Sequence, residues 1–123
     1  MKKKKKFWEK EKIINFNPLD QIIKVVYTNN INKSRIKRNK KLGKLTNKLS
    51  PLVDGLCCTR KHRIYLFITP KSTYGVIAHE AYHGITALFK YIGVDEYDEE
   101  IVAYHLGYLI DKIVKFKKKY GRI

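Results

Sequence analysis

Two histidines and a glutamate lie within five residues of one another, in the pattern His79-Glu80-Ala81-Tyr82-His83. On an α-helix, positions four residues apart project from one face on successive turns, so both imidazoles can bind one tetrahedral metal ion. Glu80 follows the first histidine directly, which sets its carboxylate where a general base for a water molecule belongs. The pattern therefore indicates a hydrolytic site in which His79 and His83 bind one catalytic zinc ion and Glu80 takes the proton of the attacking water.

A catalytic zinc site needs a third protein ligand in addition to the two histidines. Acidic residues concentrate downstream, and five of the eleven in the chain fall between positions 95 and 100. Carboxylates at the beginning of a helix complement its dipole, which explains Asp98 and Glu99. We expect Glu100 to be the third ligand, with Glu99 as the alternative. Other divalent metals can occupy such a ligand set.

The expectation for Glu100 depends on the helical face that it shares. That face carries two small residues and two tyrosines: Ala103, Gly107, Tyr104 and Tyr108. Small residues let helices approach closely, so we expect this face to meet the metal-bearing helix near Gly84. Tyr104, one turn beyond Glu100, is then the candidate that donates a hydrogen bond to a tetrahedral oxyanion, and simple packing is the alternative.

Four other residues of reactive type receive structural interpretations. His105 lies about 140° round the helix from Glu100, so it should face away from the metal. His62 falls in a basic hairpin turn, where exposure is expected. Cys57 and Cys58 are adjacent in a strand pattern, so their side chains point to opposite faces and they stay reduced thiols.

Apolar periodicity predicts the strands that support this site. Residues 20–28 form a short β-branched run that is typical of a strand. Residues 56–59 and 62–69 indicate a hairpin with a tight turn at Arg60-Lys61. We therefore expect a sheet of about three strands.

The same periodicity predicts the helices. Residues 31–49 are roughly amphipathic, with a break at Gly43. The metal-bearing helix is expected to begin at an N-cap on Ser72 or Thr73 and to run to about residue 92, where Gly93 closes it. A last helix begins near Asp98 and is apolar over a wide arc, so it must be well packed. The fold class is therefore α+β.

Composition places limits on the class of protein. The 123 residues suffice for one domain, and 44% of them are hydrophobic, as in a folded chain. The 27 basic and 11 acidic residues give a formal net charge of +16. This charge favours non-specific binding of nucleic acid or acidic proteins, with a merely solvated basic surface as the alternative. No CxxC spacing is present, which argues against a thiolate zinc cluster and a disulfide-stapled secreted fold.

The N-terminal lysine run separates the chain into two parts. Residues 1–19 are expected to be a basic, disordered arm, and residues 20–123 a single domain with a basic C-terminal tail. The sequence contains no apolar stretch of signal-peptide or membrane-spanning length, so we expect an intracellular protein without membrane association. Oligomeric state is left open.

The quoted residues resemble the small zincin-like metallopeptidases encoded by bacteriophages and, more distantly, the phage-repressor-cleaving and stress-response zinc peptidases. The resemblance covers about residues 50–114 and depends on residues 75–84, 91–94 and 98–109. It implies a minimal zincin, with the small sheet against the HExxH helix and against the C-terminal helix. It also implies that residues 63–69 form the edge strand that pairs with an extended peptide substrate. The host cytoplasm or the virion would be its location.

Three hypotheses follow for the function. The first is a zinc peptidase acting on peptide or protein substrates. The second is a non-catalytic, zinc-stabilised binding or structural module that uses its basic surface to hold nucleic acid or a virion component. The third is a metal-free zincin fold.

Overall fold

The structure, a computed structural model, describes residues 6–17, 19–38, 54–94 and 98–120. Its elements are, in chain order, β1 (Glu9–Phe16), β2 (Gln21–Thr28), α1 (Ile31–Lys37), β3 (Gly55–Arg60), β4 (Arg63–Ile68), α2 (Tyr74–Tyr91) and α3 (Glu99–Tyr120). The α+β class is confirmed. The strand at 20–28 and the hairpin at 56–69 are also confirmed, although its turn residues are Lys61 and His62, both with positive φ.

The four strands form one mixed sheet in the order β1-β2-β4-β3. Strand β2 is parallel to β4, and the two outer pairs are antiparallel. The expectation that residues 63–69 form the edge strand is wrong, since β4 lies between two neighbours. Its residues from Ile64 to Ile68 are all buried, and such a continuously apolar strand is typical of the middle of a sheet. The edge on this side of the sheet is β3.

The sheet has one strand more than expected because part of the supposed N-terminal arm is folded. Strand β1 pairs with β2 along its full length, and Ile14 and Phe16 are buried against the helices. Trp8, just before β1, packs edge-to-face on Tyr27 with ring centroids 5.0 Å apart. The arm prediction is therefore wrong for β1, while residues 1–5 lie outside the described part of the chain.

Helix α2 lies across one face of the sheet and is anchored by the apolar stripe that its spacing predicted. Ile77, Ala81, Ile85 and Leu88 are almost fully buried in the main core. Its N-cap is Thr73, whose hydroxyl accepts a hydrogen bond from the Val76 amide. Gly93, with φ of 80°, ends it in a Schellman-type turn. The sequence therefore predicted this helix nearly to the residue.

Helix α3 runs antiparallel to α2 over the same face of the sheet. The His105 ring lies 5.2 Å from the Phe89 ring near the end of α2, and Lys117 donates a 2.7 Å hydrogen bond to the Ser72 carbonyl just before α2 begins. The first turn of α3 therefore lies beside the last turn of α2. Helix α3 continues to Tyr120, through most of the predicted tail.

Helix α1 lies on the other face, beside a second cluster formed by Val26, Ile31, Tyr65 and Phe67. The predicted helix at 31–49 is confirmed from Ile31 to Lys37, and residues 39–50 lie outside the described ranges. None of the helices in the described ranges combines the length and the apolar character needed to cross a membrane.

Candidate metal centre

The two imidazoles of the HEAYH segment converge on one point outside helix α2. The Nε2 atoms of His79 and His83 are 3.2 Å apart, and both side chains are exposed to solvent. Two nitrogen ligands at 2.0–2.1 Å from a tetrahedral zinc ion would be separated by about 3.3 Å. The separation therefore suits a shared metal ion, although an N–H···N hydrogen bond would give a similar value.

Glu80 projects from the same helix toward the sheet and is only 8% exposed. Its Oε1 atom lies 3.9 Å from Nε2 of His79, farther than two ligands of one tetrahedral ion would lie. Its Oε2 atom is buried and has no hydrogen-bond partner in the described part of the chain. A buried carboxylate oxygen without a hydrogen-bond partner costs free energy because it has lost its contact with water. The pocket therefore suits a cation and a water molecule that donates a hydrogen bond to the carboxylate. The described residues thus supply two of the three protein ligands of a catalytic zinc site, with Glu80 in the position of the base.

Strand β3 lies close against α2 at Gly55. A methyl group added at Gly55 would lie 2.6 Å from Cγ1 of Val76 and 3.0 Å from Cγ of Glu80. Any side chain larger than hydrogen would therefore push either the strand or the helix. The absence of a side chain at Gly55 is what lets the edge strand lie directly against the carboxylate of Glu80.

Two cavities lie between β3 and α2, one reaching His83 and the other His79, and Glu80 lines both. We call the two cavities together the groove, and each of them one half of it. One half has a volume of about 770 Å³ and is lined by Leu56, Cys57, Thr59, Glu80, His83, Thr86, Ala87, Lys90, Tyr91 and Val94. The other half has a volume of about 640 Å³ and is lined by Asp54, Gly55, Thr73, Gly75, Val76, His79 and Glu80. A ligand lying along the groove would pass over Glu80 at its centre.

Cys57 lies in the wall of this groove, and Cys58 faces the opposite side of the sheet. They pack against different clusters, as their adjacency predicted, and both are free thiols. Burial, reinforced by the negative charge of Glu80, raises the pKa of Cys57 to about 12. Its thiol is therefore protonated at neutral pH, so Cys57 contributes an uncharged side chain to the wall of the groove.

Glu100, Glu99 and Tyr104 are not brought to this centre. Within the described residues, the group that could hold a metal consists of His79, Glu80 and His83 alone. The side chains of Glu99, Glu100 and Tyr104 are exposed, and Tyr104 is 73% exposed. Because α3 is antiparallel to α2, its first turn lies about 16 Å along the helix axes from His83.

The expected contact between the small-residue face of α3 and α2 is wrong. Leu109 is fully buried in the core, and Glu100 lies about 180° from it around the helix. Gly107 has open space around it, whereas Gly84 faces Ile23 and Leu66 of the sheet. The wider apolar arc of α3 controlled its orientation, since burying that arc removes more apolar surface from water than burying two small residues.

Two histidines outside the centre are placed as the sequence indicated. His62 is exposed in the β3–β4 turn, and its ring lies 4.7 Å from that of Tyr91. His105 is half-buried between Phe16 and Phe89, and its Nδ1 lies 2.7 Å from the Ile101 carbonyl. Both contacts are structural.

The sequence analysis did not identify several of the residues that line the groove. Thr86 and Lys90 lie three and seven residues after His83, on the same face of α2, so helical periodicity alone could have pointed to them. Gly55 directly precedes the strand predicted at residues 56–59, and nothing in the sequence marks it as part of the site. Only the packing of β3 on α2 shows why a glycine stands there.

Comparison with models of known protein families, with curated proteins and with solved structures finds no match to this chain. The family resemblance therefore has no support beyond the residues that suggested it. Any functional conclusion depends on the geometry of His79, Glu80 and His83 and of the groove around them.

Proposed function

We propose that this chain is a zinc-dependent peptidase of minimal zincin type, with His79 and His83 as metal ligands and Glu80 as general base. The observation that carries the proposal is the convergence of the two imidazole nitrogens, 3.2 Å apart, beside a buried carboxylate oxygen that has no hydrogen-bond partner among the described residues. Chance placement of an HExxH segment explains neither the buried carboxylate nor the groove above it.

A bound zinc ion would supply a Lewis acid that polarises a carbonyl and lowers the pKa of a water molecule toward neutrality. The residues of the chain would supply proton transfer and substrate binding. Glu80 accepts the proton of the attacking water and can return it to the leaving amine. Strand β3 offers its backbone along the groove, so an extended peptide can add to the sheet edge and present its carbonyl over Glu80.

The third ligand is a separate part of the proposal. Sites of this kind have three protein ligands, and Glu100 remains the carboxylate that the sequence puts forward. The position of α3 gives it no path to the histidines without movement of that helix. The proposal therefore depends on His79, His83 and Glu80, and Glu100 is tested separately.

The decisive experiment combines metal analysis with a peptide-hydrolysis assay on the full chain. Purified protein should contain about one zinc per chain, and removal of the metal should abolish hydrolysis, with recovery when zinc is restored. Glu80→Gln should keep the zinc and lose at least about 100-fold in rate, since it removes the base alone. His79→Ala should lose both zinc and hydrolysis.

Three outcomes would contradict the proposal in different ways. Hydrolysis that survives in Glu80→Gln refutes the mechanism. Protein that binds no zinc refutes the site and leaves a metal-free fold. Zinc binding without hydrolysis of any peptide, together with salt-dependent binding of nucleic acid that is indifferent to Glu80→Gln, supports a binding module in its place.

A further inference from the structure

We propose that the groove selects peptides with an acidic side chain on the Lys90 side of the scissile bond, three to four residues away from it. This inference rests on the proposed peptidase function and names its substrate class. It is carried by the charges and dimensions of the two halves of the groove.

The two halves of the groove differ in charge. The half beyond His83 has Lys90 at its far end, between apolar walls formed by Leu56, Ala87 and Val94. The half beyond His79 has Asp54 at its end and contains no lysine or arginine among its described lining residues. A peptide in the groove therefore meets a cation at one end and a carboxylate at the other.

Within the described ranges, the ammonium group of Lys90 is not held by an acidic side chain. Lys90 is exposed, and no carboxylate of the described residues lies in ion-pair contact with it. Glu80, the acidic residue in the same half, is buried at the opposite end. The β3–β4 turn lies at this end, since His62 contacts Tyr91, and it adds the exposed cations Arg60 and Lys61.

Helix geometry sets the distance between this charge and the reaction. Lys90 lies nine residues after the midpoint between the two histidines, which corresponds to about 13 Å along α2. An extended peptide advances about 3.3 Å per residue, so Lys90 lies beside a substrate residue about four positions from the scissile bond. The long lysine side chain can also reach the preceding residue, which gives a range of three to four.

The test uses a proteome-derived peptide library, with cleavage sites identified by mass spectrometry. Wild-type protein should show aspartate and glutamate enriched at the third or fourth position on one side of the cleavage site. With synthetic peptides, replacing that acidic residue by its amide should lower kcat/KM by about two- to fivefold, the range of a single exposed ion pair. The difference should shrink as salt is raised.

The matched variants are Lys90→Glu and Lys118→Glu. Both lysines are exposed in the last turn of a helix, so the two substitutions change net charge and helix-end electrostatics equally. Lys90→Glu should lose the acidic preference and favour lysine or arginine at the same position, and Lys118→Glu should keep it. Cleavage with no acidic preference, or with the same preference in Lys90→Glu, overturns the inference and leaves the peptidase standing. Failure to cleave any library peptide overturns the peptidase and this inference with it.

Discussion

Replacing Gly55 by alanine is the sharpest test of how strand β3 and helix α2 hold the centre. The added methyl group would lie 2.6 Å from Cγ1 of Val76 and 3.0 Å from Cγ of Glu80, both too close for carbon atoms. Overpacking of this kind costs about 1–3 kcal/mol, and a gain of about 0.4–1 kcal/mol from the stiffer unfolded chain offsets part of it. We expect Gly55→Ala to lower the free energy of unfolding by about 1–2 kcal/mol.

The same substitution should affect hydrolysis more than zinc binding. The methyl group presses on Glu80 and not on the imidazoles, and a shift of about 1 Å in a catalytic group can cost about 100-fold in rate. Hydrolysis should therefore fall by about 10- to 100-fold, while zinc affinity changes little. Urea unfolding, zinc titration and peptide hydrolysis measure the three quantities on the same preparations.

Two further variants make this result interpretable. Gly75→Ala is the control, because a methyl group there meets, of the described atoms, only Thr73 Oγ1 at 3.8 Å, and it should be neutral or slightly stabilising. Val76→Ala removes the atom with which the closer clash occurs, so the double variant Gly55→Ala/Val76→Ala should be more stable than additivity predicts, by about 1 kcal/mol. Strict additivity, or a Gly55→Ala protein with wild-type stability and rate, would refute this account of the strand–helix contact.

Further expectations concern the rest of the structure. Glu9 is desolvated, which raises its pKa, but hydrogen bonds from Arg38, Lys37 and Ser34 outweigh this and lower it from 4.5 to about 2. Its stabilising contribution, about 2–3 kcal/mol, should be complete above about pH 4.5 and lost as the pH falls toward 2, and urea unfolding of Glu9→Gln should lack most of that slope. Glu100→Gln should bind zinc within about twofold of wild type in a competition titration, whereas a loss above about 100-fold, as expected for a ligand, would show that α3 moves. Tyr104→Phe should leave kcat unchanged, and a tenfold fall would place the phenol at the reaction.

The sequence predicted the parts of the molecule that local rules control. The spacing of Ile77, Ala81, Ile85 and Leu88 oriented α2, and its capping residue Thr73 and closing Gly93 set its ends. Those rules put His79 and His83 on one face without reference to any other element. The hairpin of β3 and β4 followed from its apolar pattern in the same way.

The sequence did not determine which of two possible surfaces of an element would be buried in the fold. Helix α3 has two faces that can pack, and the larger apolar one turned inward and carried Glu100 and Tyr104 to solvent. Strand β1 was hidden because the first half of it, from Glu9 to Lys12, is charged on both faces, and only pairing with β2 reveals it. The order of β3 and β4 in the sheet was signalled by the continuous apolar run from Ile64 to Ile68, but the edge position implied by the family resemblance was preferred over that signal.

The two edges of the sheet differ in a way that bears on where another chain can join it. Strand β1 begins with four alternating charges, from Glu9 to Lys12, and its acidic residues are held by Arg38. Charged edges of this kind resist pairing with a foreign strand. Strand β3 is uncharged from Gly55 to Thr59, and it is the edge that borders the histidines. The sheet therefore offers an extended peptide one uncharged edge, and that edge borders Glu80. Under the proposed function, binding of the peptide and its cleavage would then take place at the same edge.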